Sequence, residues 1–242
     1  MRLRNVFLLV VVSFFPGCAT TSTELTDIHK SKIKNVGVAV LLHDEFVIGY
    51  VSPFTRKLVT YDMNSSNYRK ELYNITVNHL KSKHYRVKQL ILNNHYRKEI
   101  RQDRSGALDS ILKNLASENN LDTIILVYDG IGIVKLEFKI SLGVPSHAYI
   151  HAEGYGVVNR TAAETRSFGI ATIQIIDTRT MDTIVERSVS ASERYHDQYI
   201  VKLVVNADKK FELTESQRNN LEESFSKHLS AALTDLLAQI NL

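Results

Sequence analysis

Two uninterrupted apolar runs restrict the fold of this chain more than any other feature. Residues 36–42 and residues 124–127 contain no polar side chain. Such runs predict strands that are buried on both faces, as in parallel sheets. Between them, residues 65–80 and 107–117 carry apolar side chains at helical spacing, and residues 85–92 have a strand pattern. The order strand, helix, strand, helix, strand predicts a parallel unit with right-handed crossovers.

The pattern changes after Asp129-Gly130, a pair that is typical of tight turns. Residues 134–140 alternate between apolar and charged side chains, which predicts a half-exposed strand. Further strand patterns cover residues 148–159, 168–176 and 183–190. We expect these strands to be antiparallel, because polar turns rather than helices separate them.

The chain closes with a helix pattern. Thr214-Glu215-Ser216-Gln217 has the spacing of a capping box, in which the first and last side chains bond each other's backbone. Behind it, six apolar side chains form one stripe: Leu221, Phe225, Leu229, Leu233, Leu236 and Ile240. The predicted fold class is α/β, with a mixed sheet in which the β-α-β-α-β unit is followed by antiparallel strands and a C-terminal amphipathic helix packed on the sheet. The length of 242 residues favours a single α/β domain over residues 33–242.

The first eighteen residues have the order of a secretory signal. Arg2 and Arg4 precede a short apolar segment, which ends at Gly17-Cys18 and is too short to span a bilayer. A small residue before the only cysteine of the chain resembles the lipobox of bacterial lipoproteins, in which the thiol is acylated and the preceding peptide is removed. The resemblance implies a signal peptide over residues 1–17, cleavage between Gly17 and Cys18, and palmitate on Cys18. A conventional signal peptide with an incidental cysteine is the alternative.

Residues 18–32 are polar and without periodicity, so we expect a tether between the acylated cysteine and the folded part. Removing residues 1–17 deletes two arginines and no acidic residue, so the formal charge falls from +4 to +2, which is 4 − 2. This small excess does not favour a nucleic-acid partner. Acylation of Cys18 would make the membrane a partner. Ala19 replaces the aspartate that resembles an inner-membrane retention signal in such lipoproteins, which implies the outer membrane and its periplasmic face.

The order of elements resembles one group of envelope lipoproteins. The shared features are the lipobox, a short linker, an α/β unit, a late hairpin whose first strand ends in Asp177-Thr178-Arg179-Thr180, and a closing helix. The group includes curli-secretion lipoproteins, lipoproteins that activate peptidoglycan synthases, and flagellar-assembly lipoproteins. Met181-Asp182 stands where the group usually has glycine. Fold similarity of this kind does not transfer function.

No catalytic residue is predicted. Ser110 and Lys113 have the serine and lysine spacing of penicillin-binding enzymes, but the same spacing occurs at Ser31 and at Ser224, as chance would give. No cofactor is predicted, because no phosphate-binding or dinucleotide-binding loop is present. No metal site is predicted either, since on a strand His147 and His151 would lie about 13 Å apart.

One strand face is the candidate surface for a partner. Alternation predicts that five side chains lie on the same side of the 148–159 strand pattern, away from the core: His147, Tyr149, His151, Glu153 and Tyr155. The alternative is a solvated surface without a partner. Residues 95–104 are the densest basic stretch, which we interpret as a solvated loop, with a contact to anionic lipid as its alternative.

These observations favour a lipid-anchored, periplasm-facing envelope protein that acts as a non-catalytic binding, assembly or regulatory module. Its partner is expected to be an envelope protein, and a homo-oligomer is the alternative. Two other functions stay open: an envelope hydrolase or transferase with a dispersed active site, and an oligomeric pore-forming secretion lipoprotein in which the stretch from Glu45 to Tyr61 inserts into the membrane.

Overall fold

The computed structural model describes residue 25 and residues 27–51, 56–101, 106–139, 145–160, 164–194 and 212–240. Its helices are α1 (Asp27–Lys32), α2 (Ser66–Ser82), α3 (Tyr96–Arg101), α4 (Gly106–Asn119) and α5 (Glu215–Ile240). Its strands are β1 (Asn35–Leu41), β2 (Glu45–Val51), β3 (Arg56–Asp62), β4 (Arg86–Gln89), β5 (Thr123–Asp129), β6 (Ile131–Lys139), β7 (Pro145–Glu153), β8 (Tyr155–Arg160), β9 (Glu164–Asp177) and β10 (Thr183–Arg194).

Strand β9 is the longest strand of the main sheet. One of its edges pairs with β10 along nearly its whole length. Its other edge pairs with β5 over residues 171–177 and with β8 over residues 164–169. Strands β5 and β8 therefore lie end to end in a single row of the sheet.

Strands β1 and β2 repeat this arrangement in the next row. Strand β1 pairs in parallel with β5, and β2 pairs in parallel with β8. In the outermost row, β4 lies parallel to β1 and β3 lies antiparallel to β2. The main sheet thus has a first half, β4-β1-β5, and a second half, β3-β2-β8, with β9 and β10 running along both.

The mixed α/β architecture confirms the predicted fold class. Strands β1, β4 and β5 are parallel and are connected through helices, and antiparallel strands and a closing helix follow. The β2–β3 hairpin is an addition that the predicted unit did not contain. It covers most of the stretch from Glu45 to Tyr61, and Phe46 and Ile48 are buried in the core, so this stretch belongs to the sheet.

Helices α2 and α5 cover one face of the sheet. The capping box at the start of α5 is formed, because the Thr214 amide donates to the Gln217 side chain at 2.9 Å and the Gln217 amide donates to the Thr214 hydroxyl at 3.3 Å. The ring centroid of Phe225 lies 5.2 Å from that of Phe46 on β2 and 5.8 Å from that of Tyr155 on β8. The apolar stripe of α5 is buried, as predicted for a helix packed on the sheet.

The opposite face has two separate covers. Over the first half, α3 and α4 bury apolar side chains against β1 and β5, among them Ile100, Leu108 and Leu112. Over the second half, the β6–β7 hairpin packs Val134 and Ile150 against Phe168 and Ile170 of β9. Side chains of the two covers meet at the boundary between the halves, where Arg97 of α3 contacts Glu153 of β7.

Two local expectations were wrong. The polar stretch assigned to the tether includes helix α1, Asp27–Lys32, and Leu25 just before it is buried. The strand expected over residues 148–159 is interrupted at Gly154, whose φ of +69° breaks the extended backbone. Strand β7 therefore leaves the main sheet, whereas β8 belongs to it.

Candidate functional site

The boundary between the two halves of the sheet brings three chain segments together. Residues 42–44 connect β1 to β2, and Asp129 is the last residue of β5. Gly154 returns the chain from β7 to β8, and its amide donates to the carbonyl oxygen of Gly130 at 2.9 Å. We call this region the strand junction.

A buried ion pair occupies the centre of the strand junction. Arg97 of α3 is 2% exposed and Asp129 is fully buried. The guanidinium donates from Nε to Asp129 Oδ1 at 2.6 Å and from Nη2 to Oδ2 at 2.8 Å. This two-pronged geometry is the strongest arrangement for an arginine and a carboxylate, and it anchors α3 to the end of β5.

His43 completes the contacts of this ion pair. Its backbone amide donates to Asp129 Oδ1 at 3.1 Å, and its Nδ1 lies 3.3 Å from Oδ2. Arg97 Nη1 lies 2.7 Å from His43 Nε2. A guanidinium nitrogen can only donate a hydrogen bond, so Nε2 must be the acceptor. The network therefore assigns the neutral tautomer with the proton on Nδ1. Glu153 at the end of β7 accepts from Arg97 Nη2 at 3.3 Å.

Asp44, in the connection between β1 and β2, anchors this connection to Ser65 at the start of α2. The Ser65 hydroxyl and amide donate to its Oδ1 at 2.5 and 3.2 Å, and Arg69 lies 3.7 Å away. Burial by itself would raise the pKa of Asp44, but the Ser65 hydrogen bonds and the charge of Arg69 outweigh it, so this pKa is lowered. Ser65 precedes α2 but makes no side-chain cap to it, because its hydroxyl bonds Asp44 instead.

A cavity of about 240 Å³ opens beside the strand junction. Its floor and one wall are apolar and belong to the second half of the sheet, and its other wall is strand β7. One end is polar, where His43, Glu45 and Glu153 lie. Apolar walls with polar groups at one end are the usual design of a binding cavity.

The outward face of the β6–β7 hairpin exposes large apolar side chains. The strand register places Ile131 opposite Glu153, Ile133 opposite His151, and Lys135 opposite Tyr149. Ile131, Ile133 and Tyr149 are 55%, 48% and 65% exposed. We call this surface, with the cavity next to it, the hairpin surface.

The structure separates the five side chains that alternation placed on one face. Tyr149, His151 and Glu153 share the outward face of β7 and are exposed. His147 follows the same register, opposite Glu137. Tyr155 was wrongly assigned, because the interruption at Gly154 places it in β8, where it is fully buried and its hydroxyl donates to the His43 carbonyl oxygen. Burial raises the pKa of Tyr155 far above its ordinary value, and the charge of Asp129 adds to this shift.

Gly17 and Cys18, the predicted cleavage and acylation residues, lie outside the described residues. Within the described part of the chain, no three His, Cys, Asp or Glu side chains are grouped so that they could hold a metal ion. Among the helices of that part, none is both long enough and apolar enough to cross a membrane.

The sequence interpretation missed Arg97, Asp129 and His43. Arg97 belongs to the basic stretch of residues 95–104, and its burial contradicts the solvated loop expected there. Its partner lies 32 positions further along the chain, so no local pattern reveals the pair. A usable signal in the sequence was the charged Asp129 two positions after the apolar run of residues 124–127.

A second polar cluster lies under α5. His228 Nε2 is 2.8 Å from the Ser167 hydroxyl, which accepts a hydrogen bond from the Ser224 hydroxyl at 2.8 Å. Ser167 and His228 are both buried, so this hydroxyl and imidazole are closed to a substrate in this conformation. The cluster satisfies polar groups inside the fold, and it does not favour the hydrolase alternative.

Comparison with protein-family models finds no matching family, and none of the curated proteins matches the sequence. Solved structures do match, at low TM-scores. Lipoprotein GNA1162 from Neisseria meningitidis is 12% identical, with 72% of this chain and 94% of that chain covered and a TM-score of 0.34. A minor lipoprotein from Acinetobacter baumannii is 10% identical, with 86% and 89% covered and a TM-score of 0.32. The PelC dodecamer from Paraburkholderia phytofirmans is 8% identical, with 90% and 92% covered and a TM-score of 0.34.

The structural neighbours include bacterial lipoproteins. The TM-scores lie below 0.5 and about one residue in ten is identical. Similarity at this level does not indicate what this chain binds or whether it has an activity.

Proposed function

We propose that this chain is a lipid-anchored protein of the cell envelope whose folded part is a non-catalytic binding or assembly module. Acylated Cys18 holds it at the periplasmic face of the outer membrane, and the hairpin surface contacts an envelope protein. A second copy of the chain is the alternative partner.

The exposed apolar side chains of the hairpin surface are the observation that carries this proposal. Ile131, Ile133 and Tyr149 project from one face of a two-stranded ribbon, and His151 and Glu153 of the same ribbon line the neighbouring cavity. Single exposed apolar residues are ordinary, but a group of them rimmed by charged side chains is typical of a contact surface. Lys135 and Glu153 supply that charged rim.

Acylation is tested by the change Cys18→Ser in the full-length protein. We expect wild-type protein to carry the mass of its acyl chains, to lack residues 1–17 and to enter the detergent phase. The variant should keep residues 1–17 and lose the acyl mass, while Ser22→Ala should behave like wild type. An unmodified wild-type protein in the aqueous phase would contradict the anchor.

Partner contact is tested by photo-crosslinking in intact cells. A photoreactive side chain at position 133 should give an adduct of defined mass, because Ile133 is 48% exposed on the hairpin surface. The same group at the exposed Lys113 of α4 serves as the control. Tyr149→Glu should abolish the adduct without lowering the amount of folded protein. Equal labelling from both positions, or none from either, would refute the contact.

A further inference from the structure

Two basic segments of the chain meet where strands β1 and β4 begin. Residues 28–43 and 72–98 contain no acidic residue, and each segment carries lysines just before its strand. Strands β1 and β4 are parallel, so both begin at the same end of the sheet. The Arg86 amide donates to the Lys34 carbonyl oxygen at 2.8 Å, which holds the two segments side by side.

A groove of about 520 Å³ lies between these segments, and we call it the basic groove. No acidic residue is among the residues that line it, and its basic lining residues are Lys30, Lys34, Lys83, His84 and Arg86. All of these except the half-buried Lys30 are exposed. Within the described part of the chain, their side chains form no ion pair and no hydrogen bond, so they are available to a ligand.

One carboxylate lies beside the basic groove. Asp122 Oδ2 accepts hydrogen bonds from the backbone amides of Lys34 and Asn35 at 2.9 and 2.8 Å. Its single negative charge is smaller than the four positive charges on the Lys and Arg side chains of the groove. The basic groove therefore keeps a net positive charge, which favours an anionic ligand.

The proposed anchor at Cys18 brings the basic groove close to the membrane. Leu25 is 4% exposed and belongs to the same buried cluster as Ile33, which lines the groove. Leu25 follows Cys18 by seven positions, and a fully extended chain of that length spans at most about 25 Å. An acylated Cys18 therefore keeps this end of the sheet within a short distance of the lipid head groups.

We infer that the basic groove binds the phosphate groups of anionic phospholipids in the membrane that holds the anchor. Lysine and arginine donate charge-assisted hydrogen bonds to phosphate oxygens, and each basic group near an anionic surface adds to the attraction. The contact holds the ends of the sheet at which β1 and β4 begin against the membrane. This inference rests on the proposed function, because it requires the anchor at Cys18.

The same contact orients the hairpin surface. Strand β1 has seven residues, which span about 23 Å at 3.3 Å per residue. Its first residue, Asn35, lines the basic groove, and its last residue, Leu41, pairs with Tyr128, three positions before Ile131 of the hairpin surface. With the basic groove on the lipid, the hairpin surface lies on the side away from the membrane, where a periplasmic partner has access to it.

The test uses the full-length acylated protein in vesicles of phosphatidylcholine alone, or of phosphatidylcholine and phosphatidylglycerol in equal parts. A fluorophore is attached through Ser82→Cys beside the groove, and a quencher is attached to lipid head groups. Cys18 is the only native cysteine, so its acylation leaves no other thiol for the label. We expect stronger quenching when phosphatidylglycerol is present, and high salt should remove the difference.

A fluorophore attached through Ile133→Cys is the control for orientation, and phosphatidylglycerol should not increase its quenching. Equal quenching of the position 82 label in both kinds of vesicle would overturn the inference. An increase at position 133 instead of position 82 would mean that the opposite end of the molecule meets the lipid, and the assignment would be wrong.

Neutral variants locate the lipid on the protein. Lys34→Gln combined with Lys83→Gln removes one charge from each basic segment and should remove the increase at position 82. The matched control combines Lys98→Gln with Lys113→Gln, which removes the same charge from exposed positions of α3 and α4. Lys98 belongs to the basic stretch of residues 95–104, so this control also tests the alternative lipid contact. An equal effect of both pairs would refute the site.

A titration separates a lipid head group from a free anion. Dihexanoyl phosphatidylglycerol and inorganic phosphate are added separately to the isotope-labelled protein in uncharged detergent. The amide resonances of residues 83–86 should shift saturably with the lipid, and Lys34→Gln with Lys83→Gln should weaken this binding about tenfold or more, as expected for lost hydrogen bonds to a charged group. Saturable shifts with inorganic phosphate but not with the lipid would mean that the ligand is a free anion.

Failure of this inference is distinguishable from failure of the proposed function. If the protein does not enter vesicles of phosphatidylcholine alone, the anchor is absent and the proposed function is wrong. If it enters them but phosphatidylglycerol does not increase the quenching at position 82, the anchor stands and only the lipid contact is wrong. The basic groove would then be open to an acidic protein instead.

Discussion

At the scale of single residues, the strand junction depends on two charges that are almost fully removed from water. Arg97 and Asp129 compensate each other through two short hydrogen bonds, and His43 and Glu153 occupy remaining sites around the guanidinium. A buried pair of this kind gains little over an apolar pair, but removal of one partner leaves the other charge unpaired.

Asp129→Asn should therefore lower the free energy of unfolding by about 3–5 kcal/mol, measured by urea denaturation. The new amide would face the guanidinium with a donor where an acceptor is needed. Lys227→Gln, which breaks the exposed pair between Lys227 and Glu193, should change stability by about 1 kcal/mol or less. A similar effect of both variants would mean that the junction is not the buried network described above.

Stability should also depend on pH through His228. Burial lowers its pKa below the ordinary 6.5, Glu193 at 4.0 Å acts in the opposite direction, and Lys227 adds to the lowering. In the unfolded chain the His228 imidazole binds a proton near pH 6.5, whereas in the folded chain it binds one only at lower pH. The free energy of unfolding therefore falls as the pH drops below 6.5. His228→Gln should flatten this dependence in urea titrations between pH 7 and pH 5. An unchanged slope in His228→Gln would contradict the assignment.

At the scale of elements, the second half of the sheet depends on close backbone approach. Gly156 of β8 faces the backbone of β2, and a Cβ at this position would lie 2.0 Å from the carbonyl oxygen of Val47. The hairpin β2–β3 joins the sheet through this contact between β2 and β8. The local pattern around residue 156 indicates a strand, but it contains nothing that identifies β2 as the neighbour.

Gly156→Ala should lower the free energy of unfolding by about 1–3 kcal/mol, as overpacking does. Amide hydrogen exchange in β2 should accelerate, because the pairing with β8 opens first. Gly106→Ala is the control, since a Cβ there meets no atom within 4 Å, so its stability should stay within about 0.5 kcal/mol of wild type. Loss of stability in Gly106→Ala, or none in Gly156→Ala, would show that crowding is not the cause.

At the scale of the whole molecule, α5 joins elements that lie far apart in the sequence. It packs on β8, β9 and β10 and against α2. Its Phe225 contacts Phe46 and Tyr155 in the second half of the sheet, whereas β9 runs along both halves. A helix and a strand shared in this way should make the two halves unfold together.

Phe225→Ala should lower the free energy of unfolding by about 3–5 kcal/mol, because it empties a fully buried aromatic site. Hydrogen-exchange protection should fall by equal free energies in β5 and in β8, although the ring contacts of Phe225 are with Phe46 of β2 and Tyr155 of β8. The exposed Asp235→Ala on the same helix should stay within about 0.5 kcal/mol of wild type. Loss of protection confined to β8 would mean that the halves unfold independently.

Local patterns were sufficient for much of the architecture. The apolar runs of β1 and β5, the helical spacing of α2 and α4, and the capping box of α5 each depend on residues that are neighbours in the chain. The predicted mixed sheet and closing helix follow from these elements together with the right-handed crossover rule. Acylation of Cys18 is likewise a prediction of the sequence alone.

Tertiary structure decided the site. Arg97 meets Asp129 from 32 positions away, and His43 meets it from 86 positions away, so no periodicity brings these residues together. The interruption at Gly154 sends Tyr149 and His151 to the surface and Tyr155 into the core, although alternation alone places all three on one face. Sequence patterns report which face of an element is apolar, because that depends on local spacing. Which elements meet at a junction depends on packing over the whole chain.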